Sequence, residues 1–206
     1  PFVVTLGSLT IFSGLAFLIA GGKTLFGGEI PPHFTAFARG GIPLFNSEAL
    51  TLTLPNLTLV AVIALFLVWF LLQKTVFGRH LYAIGGNEEA AVLAGIQVDR
   101  VLIGAFALMG VAVALTGFMT TAYAGASTTT VGDLMELDAI AACVIGGTAL
   151  RGGRGTVTGV IFGALIMAAL LNGMTLLAVA PEVKFIARGA VLALAVWMDV
   201  RLGAKD

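Results

Sequence analysis

The sequence predicts an all-α, polytopic membrane protein with about six transmembrane helices and both termini on the cytoplasmic side. Three observations carry this. Of 206 residues, 59% are hydrophobic and only 11% charged, against about 25% charged in an ordinary soluble domain. Apolar runs approaching the ~20 residues that cross a hydrocarbon core recur along the chain, with polar turns between them. Lys and Arg are divided unevenly among those turns, which orients the protein. The formal net charge is zero, so no overall field points to nucleic acid or to a polybasic membrane-surface protein.

Residues 1–206 read as one transmembrane domain. The first span, near 2–21, lies in the uncharged stretch from Pro1 to Gly22. It lacks a basic leader and runs longer than a signal core, so it reads as a span. The chain starts at Pro1 rather than Met, which points to a fragment or a processed chain. Residues 23–56 mix Lys23, Glu29, Arg39 and Glu48 with Gly27-Gly28, Pro31-Pro32 and Gly40-Gly41. That is turn and loop chemistry. The segment reads either as a contact surface or as an ordered, passive loop.

The second span, near 55–73, has Thr58 as its one polar side chain between Leu57 and Leu72. A polar loop, 74–100, follows. The third span, near 101–122, lies in an uncharged run from Val101 to Gly132 that leaves through Ser127, Thr128, Thr129 and Thr130. The fourth, near 133–150, needs its acidic start, because Ala139 to Leu150 alone is too short to cross. A helix starting near Asp133 has 18 residues and about 27 Å of length. It places Asp133, Glu136 and Asp138 in its first turns, where the dipole favours acids. A re-entrant hairpin is the alternative. Spans near 156–178 and 183–199 follow, separated by Pro181 and Glu182, and the last brings Lys184 and Arg188 towards an interface where basic side chains can snorkel.

With the 74–100 loop in the cytoplasm, that face carries Lys74, Arg79, Arg100, Arg151, Arg154, Arg201 and Lys205. The opposite face has Lys23, Arg39, Lys184 and Arg188. The excess fits the positive-inside rule.

Within the loop, Asn87 is a good helix N-cap, and Glu88 and Glu89 suit the positive end of a helix dipole. Ala90, Ala91, Val92, Leu93 and Ala94 continue the helix, and Gly95 is suited to end it in a left-handed conformation. A helix of about two turns, roughly 10 Å long, is not stable alone. It needs a partner surface.

Other residues admit two readings. Gly155, Gly159 and Gly163 line one helix stripe that lets a backbone approach closely, within this subunit or at a subunit interface. Asn172, an amide inside an apolar span, either faces a solute pathway or bonds another helix. Thr128, Asp133 and Glu136 either meet a polyhydroxylated solute or a docking protein, or form a solvated cap.

No catalytic or metal site is expected. His33 and His80 have no Cys, Asp or Glu at ligand spacing, and the lone Cys143 reads as a packing residue. The turn Arg151-Gly152-Gly153-Arg154-Gly155 lacks the lysine and hydroxyl of a phosphate loop. No coupling carboxylate of an ion-driven carrier stands inside the spans. With no nucleotide motif and no cofactor implied, the capped helix marks a transport subunit that draws its energy from a partner.

Several stretches then carry a resemblance, in this order along the chain: Pro1 to Gly7; Gly78-Arg79-His80 with Tyr82 to Asn87; Ala90-Ala91 with Leu93 and Gly95-Ile96; Glu136 to Ala142; Ile145 to Thr148; Gly152-Gly153; and Asn172-Gly173-Met174. Together they resemble the permeases of bacterial ATP-binding-cassette importers for ribose, xylose, arabinose and galactose. The resemblance implies that Asn87 to Ile96 is the coupling helix seated in a groove of a cassette ATPase. It further implies a second permease subunit, a periplasmic sugar-binding protein, a monosaccharide substrate and residence among the lipids of the bacterial cytoplasmic (inner) membrane. Asn172-Gly173-Met174 and Ala195 to Asp199 look most like the xylose type. Leu171 departs from the acidic residue expected there in that type, and Ser13 from the Arg of many relatives. Family members are longer, which implies N-terminal spans that this chain lacks. The competing expectation is an ATP-independent channel or half of a secondary transporter.

Overall fold

The computed structural model describes residues 2–47, 50–128 and 131–203. It contains nine α-helices among the described residues: α1 Phe2–Ala20, α2 Pro32–Arg39, α3 Asn56–Lys74, α4 Val76–Gly86, α5 Glu88–Leu93, α6 Val98–Ala124, α7 Met135–Ile145, α8 Val157–Leu176 and α9 Pro181–Gly203. Four short strands, β1 Leu25–Phe26, β2 Gly41–Ser47, β3 Leu50–Pro55 and β4 Ala126–Ser127, lie between helices. A helix stands at each of the six positions where the sequence predicts a span. Of these, α3, α6 and α8 are long and apolar enough to cross a membrane, and Val4–Ala20 of α1 is a shorter apolar helix. These helices are apolar on all sides, as expected where the surroundings are lipid or other helices rather than water.

The chain divides into two units, 1–64 with 108–132, and 65–107 with 133–206. In the first, the 23–56 segment has more regular structure than turn chemistry alone predicts. Pro32 opens α2, where its missing N–H loses nothing, and β2 pairs with β3 in an antiparallel hairpin. The segment is fastened at two points. Strand β1 pairs with β4, Leu25 opposite Ser127 and Phe26 opposite Ala126. Arg39 donates from Nε and Nη2 to the carbonyls of Tyr123 (3.2 Å) and Ala124 (3.3 Å), two acceptors left open at the end of α6. The rings of Phe34 and Phe118 also pack together, with centroids 4.3 Å apart.

In the second unit α7 and α8 pack antiparallel, with α9 against α7. Helix α7 is shorter than the 18-residue expectation: it runs 11 residues, from Met135 to Ile145. Its start is delayed by Leu134, which takes a left-handed conformation (φ 66). Its end is set by Gly147 (φ +80). The Gly147 N–H bonds the Val144 carbonyl (2.9 Å) and the Thr148 N–H bonds that of Cys143 (3.0 Å), which closes the helix in a Schellman turn. The chain from Thr148 to Gly155 therefore continues as a turn.

Candidate functional site

Helices α4 and α5 meet at a single residue. The Asn87 N–H closes α4 on the Ala83 carbonyl (3.0 Å), while its Oδ1 accepts the Ala90 N–H (3.0 Å) and opens α5. Glu88 and Glu89 fall in the first turn of α5, where the dipole favours them. Gly95, at φ +81, ends it. The Gly95 N–H reaches Val92 O (2.9 Å) and the Ile96 N–H reaches Ala91 O (3.0 Å), so the left-handed end expected from sequence is formed.

Helix α5 has two faces. Ala91 is 4% exposed and packs with Ile84, Val98 and Val101, flanked by Phe77, Leu81 and Ile96. Leu93 is 89% exposed. Glu88, Glu89, Ala90 and Val92 are exposed as well. Successive residues turn by about 100° on a helix, so Glu89 and Leu93 stand opposite Ala91, with Ala90 and Val92 beside them. Ala91 thus belongs to the protein's own core, and the face free for another molecule is Glu89, Ala90, Val92 and Leu93.

The glycine stripe faces α7 and the turn behind it. A Cβ on Gly155 would lie 3.0 Å from the Thr148 side chain. One on Gly159 would strike the Gly146 carbonyl, and one on Gly163 the Ala142 carbonyl. Gly159 and Gly163 serve a backbone-to-backbone contact inside the chain, whereas Gly155 precedes α8, outside the helix stripe expected from sequence, and meets a side chain.

Because Gly159 meets Gly146 and Gly163 meets Ala142, the C-terminal end of α8 lies beside the N-terminal end of α7. Asn172 and Glu136 share that end of the pair, and both are exposed; Asp133 is exposed in the turn before α7. Thr128 is half-buried and belongs to the other unit. Two charges from α7 and α9 also meet here. Arg188 Nε stands 3.1 Å from Asp138 Oδ1, with side chains 25% and 20% exposed. The N–H is not aimed along that line, so the contact is an ion pair by proximity without a formed hydrogen bond. Arg188 therefore turns inward to a carboxylate, where the sequence had it reaching for an interface. Lys184 bonds Thr175 Oγ1 on α8 (3.1 Å).

Removing one partner of a half-buried pair leaves the other charge poorly solvated. Arg188→Met is expected to lower stability by about 1–3 kcal/mol, and Arg188→Met with Asp138→Leu by less than the sum of the single changes. Thermal unfolding of the four proteins in detergent checks it; strict additivity would show that the pair contributes nothing.

An apolar cavity of ≈ 460 Å³ lies at the opposite end of the α7–α8 pair, bordered by Leu72, Tyr82, Gly85, Cys143, Gly152 and Val160. It offers few hydrogen-bonding groups to a polyhydroxylated solute and stands far from Asn172 in the fold. Among the described residues no three His, Cys, Asp or Glu side chains gather as metal ligands do.

Comparison with known proteins agrees with this architecture. The family described as "Branched-chain amino acid transport system / permease component" matches residues 1–196. The chain belongs to this permease family. It is 40% identical over 207 residues to the ribose import permease protein RbsC of Bacillus subtilis (strain 168), covering 99% of this chain and 61% of that one. It is 36% identical over 248 residues to the xylose transport system permease protein XylH of Escherichia coli (strain K12), covering 96% and 63%. It is 38% identical over 202 residues to the galactose/methyl galactoside import permease protein MglC of the same strain, covering 97% and 58%. The chain thus spans about three fifths of the length of these relatives. No solved structure matches it. All three relatives are named as permeases and none as an enzyme, in keeping with the missing nucleotide motif.

Some contacts escaped the sequence reading, although their residues were named in it. Asp138 and Arg188 were legible in principle, since charges within apolar segments normally pair. Tyr82, whose hydroxyl donates to the Gly155 carbonyl at 2.9 Å, and Gly85, whose backbone lies against Gly152 and Gly153, carried no periodic signal.

Proposed function

We propose that this chain is part of the transmembrane subunit of an ATP-driven bacterial importer that moves a monosaccharide across the cytoplasmic membrane by alternating access. The observation that carries this reading is α5: a capped helix with one face in the protein's core and an apolar and acidic face exposed, in a permease that lacks a nucleotide motif. Its partner is a cassette ATPase subunit, with Asn87, Glu88, Glu89, Ala90, Leu93 and Gly95 forming or shaping the contact, and Ala91 anchoring it. A second permease subunit and a periplasmic sugar-binding protein complete the assembly. The α5 loop and both termini lie on the cytoplasmic side, on the distribution of Lys and Arg.

A pentose such as xylose is the favoured substrate, on the likeness of Asn172-Gly173-Met174 and Ala195 to Asp199 to xylose-type permeases. Asn172 and Glu136 share one end of the α7–α8 pair, and their amide and carboxylate, together with the acid of Asp133 and the hydroxyl of Thr128, are groups that hydrogen-bond sugar hydroxyls. These four are the candidate pathway residues.

In the full-length permease, Glu88→Lys with Ala90→Trp is expected to abolish co-purification with the cassette ATPase. Retained binding would sink the coupling assignment. Sugar flux through liposomes holding the permease alone, with no ATPase and no ATP, would instead support an ATP-independent channel.

A further inference from the structure

The region behind α5 meets the α7–α8–α9 group through a close backbone contact and one side-chain hydrogen bond. Gly85, next to last in α4, lies against the turn between α7 and α8. A Cβ on Gly152 would stand 2.8 Å from the Gly85 carbonyl oxygen, and one on Gly153 would stand 2.8 Å from Gly86 Cα. Any side chain at Gly85 would collide with the Gly153 backbone nitrogen. Gly152 (φ +91) and Gly153 (φ +75) also hold left-handed conformations that other residues adopt with strain. One hydrogen bond fixes the alignment, from the Tyr82 hydroxyl to the Gly155 carbonyl, 2.9 Å.

The turn is itself tied on its far side. Its Ala149 N–H bonds the Arg154 carbonyl (3.0 Å) and its Gly152 N–H the Ala149 carbonyl (3.0 Å). The Leu150 N–H reaches Asp199 Oδ2 on α9 (3.3 Å). Thr156, next in the chain, caps α8 by accepting the Gly159 N–H (3.1 Å). From α5 the connection is equally stiff: Asn87 closes one helix and opens the next, and Ala91 is packed against Ile84. Contacts made of main chain at van der Waals distance have no rotamers to absorb displacement, so a push on one side moves the other.

We propose that the Gly85–Gly152/Gly153 contact, aligned by Tyr82, carries the displacement of α5 to the α7–α8–α9 group, and that these are positioning residues for energy coupling. This rests on the reading of α5 as the ATPase contact. It adds a second route, through space, to the covalent one that leads from α5 into α6.

The test uses the full-length importer in proteoliposomes with its cassette ATPase and its sugar-binding protein. Sugar moved per ATP hydrolysed is measured for wild type, Gly85→Ala and Tyr82→Phe. The ratio is expected to fall about tenfold for Gly85→Ala and about threefold for Tyr82→Phe, with ATPase co-purification at the wild-type level. A permease that is merely less stable loses transport and stimulated hydrolysis together and keeps the ratio. An unchanged ratio in both variants overturns the proposal. If Gly85→Ala does not accumulate in the membrane, Tyr82→Phe decides alone, because it removes a hydroxyl and no packing. Failure of the wild-type permease to bind the ATPase would instead overturn the function proposed for α5.

Discussion

Replacing Gly163 with leucine is expected to destabilise the protein more than any other single change on α8. A Cβ at this position would fall on the Ala142 carbonyl of α7, with the Gly146 nitrogen close by at 2.9 Å. Neither obstacle is the flexible end of a side chain; both are main chain held by helical hydrogen bonds. The two helices must separate, and the cost is at least the ~1–3 kcal/mol of an overpacked core. Gly173 supplies the control. It sits on the same helix with nothing within 4 Å of where its Cβ would be, and leucine there gains about 1 kcal/mol of helix propensity over glycine. Thermal unfolding in detergent should therefore place Gly163→Leu well below wild type and Gly173→Leu at or above it. Equal midpoints for the two variants would show that the stripe is not a packing surface.

The second large effect separates the two faces of α5. Ala91→Phe forces a ring into the cluster of Ile84, Val98 and Val101, so it is expected to lower the unfolding temperature and the yield of folded protein. Leu93→Asp, two residues on, replaces a side chain that is 89% exposed. It should leave the unfolding temperature where it is. If α5 seats in an ATPase, that same change is expected to weaken binding by about 2 kcal/mol or more, the scale of a central interface residue, or roughly thirtyfold in Kd. Titration of the labelled permease with the ATPase in detergent measures this. Normal folding with normal ATPase affinity for Leu93→Asp would remove α5 from the interface.

Much of this was legible in the sequence where the signal is local. Asn87, the two acids after it and Gly95 each act within one helical turn, and each does in the structure what its side chain and backbone preference dictate. Apolar length likewise located the helices α3, α6 and α8. What could not be read depends on approach between distant segments. Nothing near Gly85 in sequence says that Gly152 and Gly153 lie against it, and nothing near Arg188 names Asp138. The length of α7 was misjudged for a related reason. Hydropathy sees Ala139 to Leu150 as one apolar run, whereas Gly146 and Gly147 end the helix inside it.

That early stop has a consequence for the lipid around it. Eleven helical residues cover about 16 Å, roughly half the hydrocarbon thickness of a bilayer. A chain crossing at this place completes its path with backbone that is not helical, and such backbone persists at membrane depth only where protein covers it or water reaches it. Gly159 and Gly163 lie directly on the broken end of α7. The α8 main chain is one such cover, seated on the last turn of α7 with no room for a side chain between them. An isoleucine at Gly159 would strike the Gly146 carbonyl and part the two helices, uncovering that turn.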